Sequence, residues 1–268
     1  MSVHSVSLKG KRPQNEDKHN IIINIEGEDK NNADINYYAV YDGHGGKFVS
    51  KFLYDNLYKC FTDKRVTYPL KKGFVKKIYE YWQNLLKSNY KEHATNAGST
   101  CLVVVQYRKD KCDFLNILNT GDSRCVLCRN NIGIPLTKDN KPHWPEESAR
   151  IRKLGGQIVN DGYDWRICDL SVSRAFGDIS AEPYLTCIPD YYKYKLNTND
   201  KFMIIACDGL WDVMSNQDAV NFVLDNCYDQ VSGEMVNSHV NISKKLAEHA
   251  INNIGSTDNV TAIVVFFQ

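Results

Sequence analysis

Residues 37–46 read Tyr-Tyr-Ala-Val-Tyr-Asp-Gly-His-Gly-Gly. Five apolar or aromatic residues run into Asp42, and glycines surround His44. The run reads as a buried strand and the glycines as a sharp turn. Asp42 is therefore a carboxylate on a rigid support at the lip of a cavity. A lone Asp at a strand end is ordinary turn chemistry, but here the pattern recurs. Residues 201–209, Lys-Phe-Met-Ile-Ile-Ala-Cys-Asp-Gly, end an apolar run in Asp208-Gly209. Asp258-Asn259 stand immediately before the apolar residues 260–267, and Glu16-Asp17 precede residues 21–25. If four acidic strand ends converge, their repulsion calls for a cation among them. Carboxylates without a Cys or His ligand set suit hard ions such as Mg²⁺ or Mn²⁺.

Outward from these strands, residues 47–61 and 70–90 carry apolar side chains at helical spacing and suggest an antiparallel helix pair. Residues 99–107, 111–119 and 123–129 read as short strands with tight turns. A helix is expected over 145–154, opened by Pro145 and stopped by Gly155-Gly156. Two more are expected over 217–226 and 239–253. Residues 1–26 read as a β ribbon interrupted at 9–17, residues 28–34 as a polar loop, and 157–160 and 165–173 as extended pieces. Residues 174–189, with Gly177, Pro183 and Pro189, read as a flap beside the site. Hairpin spacings and paired helices predict an α+β fold. Two mainly antiparallel sheets pack as a β-sandwich flanked by pairs of antiparallel helices. No linker or repeat interrupts the chain, so a single domain over 1–268 is expected.

Composition narrows the function. The formal net charge is +1 over 268 residues, with 24% charged and 43% hydrophobic side chains. That gives no electrostatic case for nucleic acid or an anionic membrane. No apolar run reaches the length of a membrane span, no signal segment opens the chain, and position 2 is not Gly. Nine scattered cysteines indicate reduced thiols and an intracellular setting, cytoplasmic or nuclear. Cys125 and Cys128 form one CxxC in a strand-like run. Residues three apart there face opposite sides, so the pair is discounted as a metal or redox site.

Seven segments carry a resemblance. They are Arg12-Pro-Gln-Asn-Glu-Asp, Tyr38-Ala-Val-Tyr-Asp-Gly-His-Gly-Gly, Ala97-Gly-Ser-Thr, Thr120-Gly-Asp-Ser-Arg, Asp169-Leu-Ser-Val-Ser-Arg-Ala-Phe-Gly-Asp, Ala206-Cys-Asp-Gly-Leu-Trp-Asp-Val and Ser256-Thr-Asp-Asn-Val-Thr. In order, they resemble the signature motifs of the type 2C metal-dependent protein Ser/Thr phosphatases, a family whose fold is a β-sandwich flanked by helix pairs. The resemblance implies hydrolysis of phosphoserine and phosphothreonine in proteins by a metal-bridging hydroxide, with no phosphoenzyme. It implies that Asp42 bridges two Mg²⁺ or Mn²⁺ ions and that Asp208 and Asp258 complete one of them. The Gly43 carbonyl serves the other, with Glu16 and Asp17 reaching it directly or through water. Asp122 matches the position of a weaker third ion shared with Asp208 and helped by Asp212. Arg12 matches the substrate-phosphate clamp and His44 the general acid.

Two departures stand out. Asn140 replaces a His in the usual Asp-His-Lys-Pro, and residues 166–170, Arg-Ile-Cys-Asp-Leu, stand where Val-Asn-Gly is common. Both bear on surroundings and substrate choice. No P-loop motif is present, which fits direct hydrolysis better than nucleotide binding. A binding scaffold that has lost its chemistry would be expected to lack a ligand, and Asp42, Asp208 and Asp258 are all present. A hydrolase for small phosphorylated metabolites stays open. So do the phosphoprotein substrate, the choice between Mg²⁺ and Mn²⁺, and the oligomeric state.

Overall fold

All seven residues of the Ile35–Tyr41 strand are buried, because both its faces are covered. The computed structural model describes residues 2–25, 35–229, 231–236 and 240–267. The strand lies second from the edge of a five-stranded sheet. Its order is Asp190–Lys195, Cys112–Thr120, Cys101–Lys109, Ile35–Tyr41, Lys18–Ile25. A second sheet runs Ser2–Leu8, Val260–Phe266, Asp200–Ala206, Arg124–Arg129, Ile132–Pro135. Every ladder in both is antiparallel.

Side-chain alternation produces the layers. Tyr38 and Val40 meet Met203, Ile205, Ile263 and Val265 between the sheets. Tyr37, Ala39 and Tyr41 face the other way, into the core shared with the helices Phe48–Asn56 and Lys72–Asn89. Phe202, Ile204 and Val264 pack against Asn216–Cys227 and Ile242–His249 on the opposite outside. The expected sandwich with flanking helix pairs is what forms. Each fully buried Leu, Ile or Phe contributes about 1.5–3 kcal/mol, and the Tyr37 and Tyr41 hydroxyls satisfy each other at 2.8 Å. Cys125 sits between the sheets and Cys128 under the helices, as their spacing requires.

Helix ends follow local chemistry. The Ser215 hydroxyl caps one helix by accepting the Asp218 N–H at 3.1 Å. The Asn241 side chain caps the next through the Lys244 N–H at 3.0 Å. That last helix widens into a π turn, Ala250–Ile254, and stops at Gly255, φ 101°. The first helix tightens into a 3-10 turn, Leu57–Cys60, short of residue 61. The helix Pro145–Lys153 opens on its proline as expected. No described helix is long and apolar enough to cross a membrane.

Three expectations need revision. The strands Ser2–Leu8 and Lys18–Ile25 do not pair as a ribbon; they belong to different sheets, and residues 9–17 cross from one to the other. Residues 174–189 are not a detached flap. Phe176–Gly177 pair with Gly98–Ser99, and Ala175, Ala181 and Leu185 pack on Ile151 and Ile167 in a small core of their own. Of residues 165–173 only Trp165–Arg166 forms a ladder, with Val159–Asn160. The loop expected at 28–34 lies outside the described residues.

Candidate metal centre and catalytic cleft

Both sheets end at the same place. Asp42 follows the Ile35–Tyr41 strand, Asp208 follows Asp200–Ala206, Asp258 precedes Val260–Phe266, and Glu16-Asp17 close the crossing loop. Between them lies a cleft of about 560 Å³, lined by Arg12, Glu16, Asp42, Gly43, His44, Asp122, Asp208 and Asp258. Asp17 lies buried beneath it, and Asp212 is exposed and outside the lining.

The backbone is held before the side chains are. The Asp42 N–H donates to the Thr100 hydroxyl at 3.1 Å, and the Asp42 carbonyl accepts the Thr100 N–H at 2.8 Å. The Asn259 amide donates to the carbonyls of Lys9 (2.7 Å) and Gln14 (2.9 Å), and its oxygen accepts the Glu16 N–H at 2.9 Å. One side chain thus ties the crossing loop to the strand that carries Asp258. Asp208 starts a four-residue helical turn, Asp208–Trp211, pressed so close that a Cβ on Gly209 would lie 1.9 Å from the Asn259 carbonyl oxygen. Only glycine fits there.

The electrostatics of this floor are adverse. Burial first, then Asp208, Asp17 and Asp122, raise the Asp42 carboxyl far above its ordinary range. Burial, Asp122 and Asp212 do the same to Asp208. Burial pushes Asp17 up to about 6, although the Thr261 hydroxyl donates to its Oδ2 at 2.7 Å. The other oxygen of Asp17 is buried with no hydrogen-bond partner. Acids in contact resist ionising together.

Around the floor, cations already engage two of the acids. The Lys141 ammonium lies 2.6 Å from buried Asp122 and 3.7 Å from Asp164. Burial works against that ammonium's charge, but Asp122 outweighs it and holds the pKa above its usual value. Lys141 therefore stands against the acid expected to share a third ion. The Arg12 guanidinium lies 2.6 Å from Asp258 Oδ2, while Asp258 Oδ1 accepts the Asn259 N–H at 2.6 Å. Arg12 is thus at the cleft as expected, with its guanidinium on an acid of the same site.

His44 Nε2 sits 2.7 Å from Asp178 Oδ2. Burial opposes charge on the ring, but Asp178 outweighs it, so the His44 pKa is raised. Asp178 is buried at φ 45°, and its N–H donates to the Ala97 carbonyl at 3.0 Å. A Cβ on Gly98 would come 2.0 Å from Asp178 Oδ2 and 2.6 Å from His44 Nε2, so this pairing needs a glycine opposite it.

Sequence reasoning gave no site role to three residues here. Asp178 ends the quoted segment that begins at Asp169, so its position was on the page without a role. Lys141 follows Asn140 in the Asp-Asn-Lys-Pro segment. Cys207 directly precedes Asp208. Ligand atoms of Asp17, Asp42 and Cys207 all lie within 4.8 Å of one another, so a thiol does adjoin the carboxylates. Asn140, read as a departure, is buried. It accepts the Gly121 N–H at 2.9 Å and donates to Asp190 at 2.9 Å, which braces the turn carrying Asp122. An amide keeps one donor and one acceptor there at every pH, whereas an imidazole does so only when neutral.

The sequence profile described as Protein phosphatase 2C matches residues 1–260. The chain belongs to that family. It is 45% identical over 176 residues to the PP2C-like domain-containing protein R307 of Acanthamoeba polyphaga mimivirus, covering 60% of this chain and 98% of that protein. It is 34% identical over 263 residues to probable protein phosphatase 2C 11 of Arabidopsis thaliana, covering 98% of this chain and 65% of that one. The chain spans only 54% of another Arabidopsis relative, probable protein phosphatase 2C 71. Among solved structures, a phosphatase from Toxoplasma gondii superposes with a TM-score of 0.81 at 20% identity, covering 99% of this chain and 92% of that one. At that identity the likeness speaks for the fold.

Protein phosphatase 2C proteins are metal-dependent, and the residues here fit a cation. The buried, unpartnered Asp17 Oδ1 and the mutual opposition of Asp42 and Asp208 both call for positive charge. The donors are carboxylate oxygens, which suit a hard ion. The Cys207 thiol is engaged elsewhere: it accepts the Thr261 N–H at 3.2 Å and lies 3.5 Å from the Asn259 carbonyl.

Proposed function

We propose that this protein hydrolyses phosphoserine and phosphothreonine in proteins, using Mg²⁺ or Mn²⁺ held by Asp42, Asp208, Asp258, Asp17, Glu16 and the Gly43 carbonyl. The observation that carries the reading is that Asp17 and Asp42 offer ligand atoms within 4.8 Å of each other and that Asp208 acts directly on Asp42, so strand ends of both sheets meet at one place. Two divalent ions bound there would lower the pKa of a water molecule towards neutrality, so that it attacks phosphorus directly with no phosphoenzyme. Every other part of the reaction falls to the chain itself. Arg12 would exchange one anion for another, leaving the Asp258 carboxylate for the substrate phosphate, whose oxygens its fork can grip bidentately. His44, held by Asp178, would protonate the leaving Ser or Thr oxygen, a poor leaving group without that proton. Asp122 is already paired with Lys141, so a third ion shared with Asp208 and Asp212 would have to compete with an ammonium.

The deciding experiment is Mn²⁺-dependent phosphate release from a phosphothreonine peptide, run beside sugar phosphates, with Asp42→Ala and Asp208→Ala as controls. Release from the peptide alone, lost in both variants, is the expected result. Faster release from sugar phosphates would move the assignment to small metabolites. Calorimetric titration that finds no Mn²⁺ binding would remove the metal reading.

A further inference from the structure

A second hollow, of about 460 Å³, adjoins the catalytic cleft and shares Gly45 and Asn96 with it. The ridge between them is the Gly45-Gly46 backbone beside the Asn96 side chain, and Glu16 Oε2 accepts the Gly46 N–H at 3.0 Å. A Cβ placed on Gly46 would meet nothing within 4 Å, so the space directly over that glycine is open.

The hollow's near wall is cationic. Lys47 is exposed, and its ammonium has no ion-pair or hydrogen-bond partner among the described residues. Lys51 lies one turn along, 2.6 Å from Asp55. Lys18 is close enough to feel both lysines, and its own ammonium donates to the Asp17 carbonyl at 2.8 Å. Glu92 on the far wall, Asp55, and Glu16, whose carboxylate accepts the Gly46 N–H at 3.0 Å, are the opposing charges. The helix Phe48–Asn56 begins here with no acidic residue in its first turn and no side-chain cap. Its free N–H groups therefore add to the positive potential. The Phe48 ring stacks on His93 at 4.6 Å, giving the hollow a rigid aromatic side.

We propose that this hollow is a second anion subsite, taking an acidic side chain or second phosphate that lies near the scissile phosphoresidue on the same substrate. The proposal rests on the phosphatase reading above. A phosphoresidue seated in the cleft would send its neighbours across Gly45-Gly46 towards Lys47. The contacts are partly exposed, so the expected gain is roughly two- to fivefold in kcat/KM and falls as salt rises.

The test uses one phosphothreonine peptide in three forms, with flanking alanine, aspartate or a non-hydrolysable phosphonate analogue of phosphoserine. p-Nitrophenyl phosphate, which occupies the cleft alone, is the control. The unaltered protein should favour the anionic peptides over the alanine form. Lys47→Gln should erase that preference and Lys47→Glu should invert it, with p-nitrophenyl phosphate turnover unchanged in both. A gain with aspartate assigns the subsite to carboxylates, and a gain with the phosphonate alone assigns it to phosphate. Equal kcat/KM for all three peptides overturns the subsite and leaves the phosphatase reading standing. So does an equal loss on peptides and p-nitrophenyl phosphate in the Lys47 variants. No turnover of any substrate overturns the phosphatase reading, and the subsite falls with it.

Discussion

The floor of the cleft and its side wall are held by different forces. The floor hangs from strand ends of two sheets, and its acids oppose one another: Asp42 and Asp208 are each raised by burial and by neighbouring carboxylates. The side wall, contributed by Arg166, Asp169, Leu170, Ser171 and Val172, grows from a minimal ladder between Val159–Asn160 and Trp165–Arg166. Local bonds hold it. Asp161 accepts the N–H groups of Tyr163 (2.9 Å) and Asp164 (2.8 Å) and pairs with Arg166, while Tyr163 itself is 98% exposed. Rigid geometry at the floor sustains a charge conflict that a cation would relieve. Two acids of this segment are paired instead, Asp161 with Arg166 and Asp164 with Lys141.

The sharpest way to break this comparison is to remove a floor charge. Asp42→Asn or Asp208→Asn should lower phosphate release on the order of 10³-fold or more. The same change should raise the melting temperature of the metal-free protein, since one of several mutually opposed carboxyls disappears. Activity assay and calorimetry together check this; a lower melting temperature would refute the account of the floor.

The next effect comes from pH. Asp17 titrates at about 6 in the folded chain against an ordinary 3.8. Between those values the folded state binds more protons than the unfolded one, so stability falls as pH rises. Asp42 and Asp208, raised further, extend the fall above pH 6. Metal-free protein should lose about 2 kcal/mol, or roughly 4–8 °C in Tm, between pH 5 and 8. Mn²⁺ should add more stability at pH 8 than at pH 5. Scanning calorimetry that finds the metal-free protein more stable at pH 8 would contradict this.

Asp178→Asn tests the join between floor and acid. It should slow turnover of a phosphothreonine peptide roughly ten- to hundredfold and that of aryl phosphates much less, because only the former needs the His44 proton. Equal losses on both would leave Asp178 a purely structural role. The smallest effect belongs to the wall. Cys168 and Asp169 occupy a two-residue turn at φ 50° and 64°, closed by reciprocal bonds between Ile167 and Leu170 at 3.0 Å. Replacing them with Asn-Gly should stabilise by about 1 kcal/mol and leave p-nitrophenyl phosphate turnover unchanged.

What could be read from the sequence follows the same division. Asp42, Asp208, Asp258 and Glu16-Asp17 announced themselves because each adjoins an apolar run, and apolar runs report strands. The separation of Cys125 from Cys128 followed from period-two geometry. Pairing between distant segments left no such trace. Residues 2–8 and 18–25 are neighbours in the chain yet lie in different sheets, and nothing local dictates that. The edge strand Asp190–Lys195, Asp-Tyr-Tyr-Lys-Tyr-Lys, escaped notice because its half-exposed face carries lysines where an apolar signal would stand. The partners of Asp122 and His44 stayed hidden for a related reason: Lys141 and Asp178 act across 19 and 134 residues of chain.

Asn259 has a consequence for how the protein is made. Its amide clasps Lys9, Gln14 and Glu16, 250, 245 and 243 positions earlier in the chain. A ribosome therefore emits the first acids of the centre long before the clasp that sets them in place. Until then Glu16 and Asp17 have no partner strand carrying Asp258, and a chain halted before residue 258 has no means of completing the cage. On the proposed ligand set, competence to hold metal would follow the emergence of Asn259.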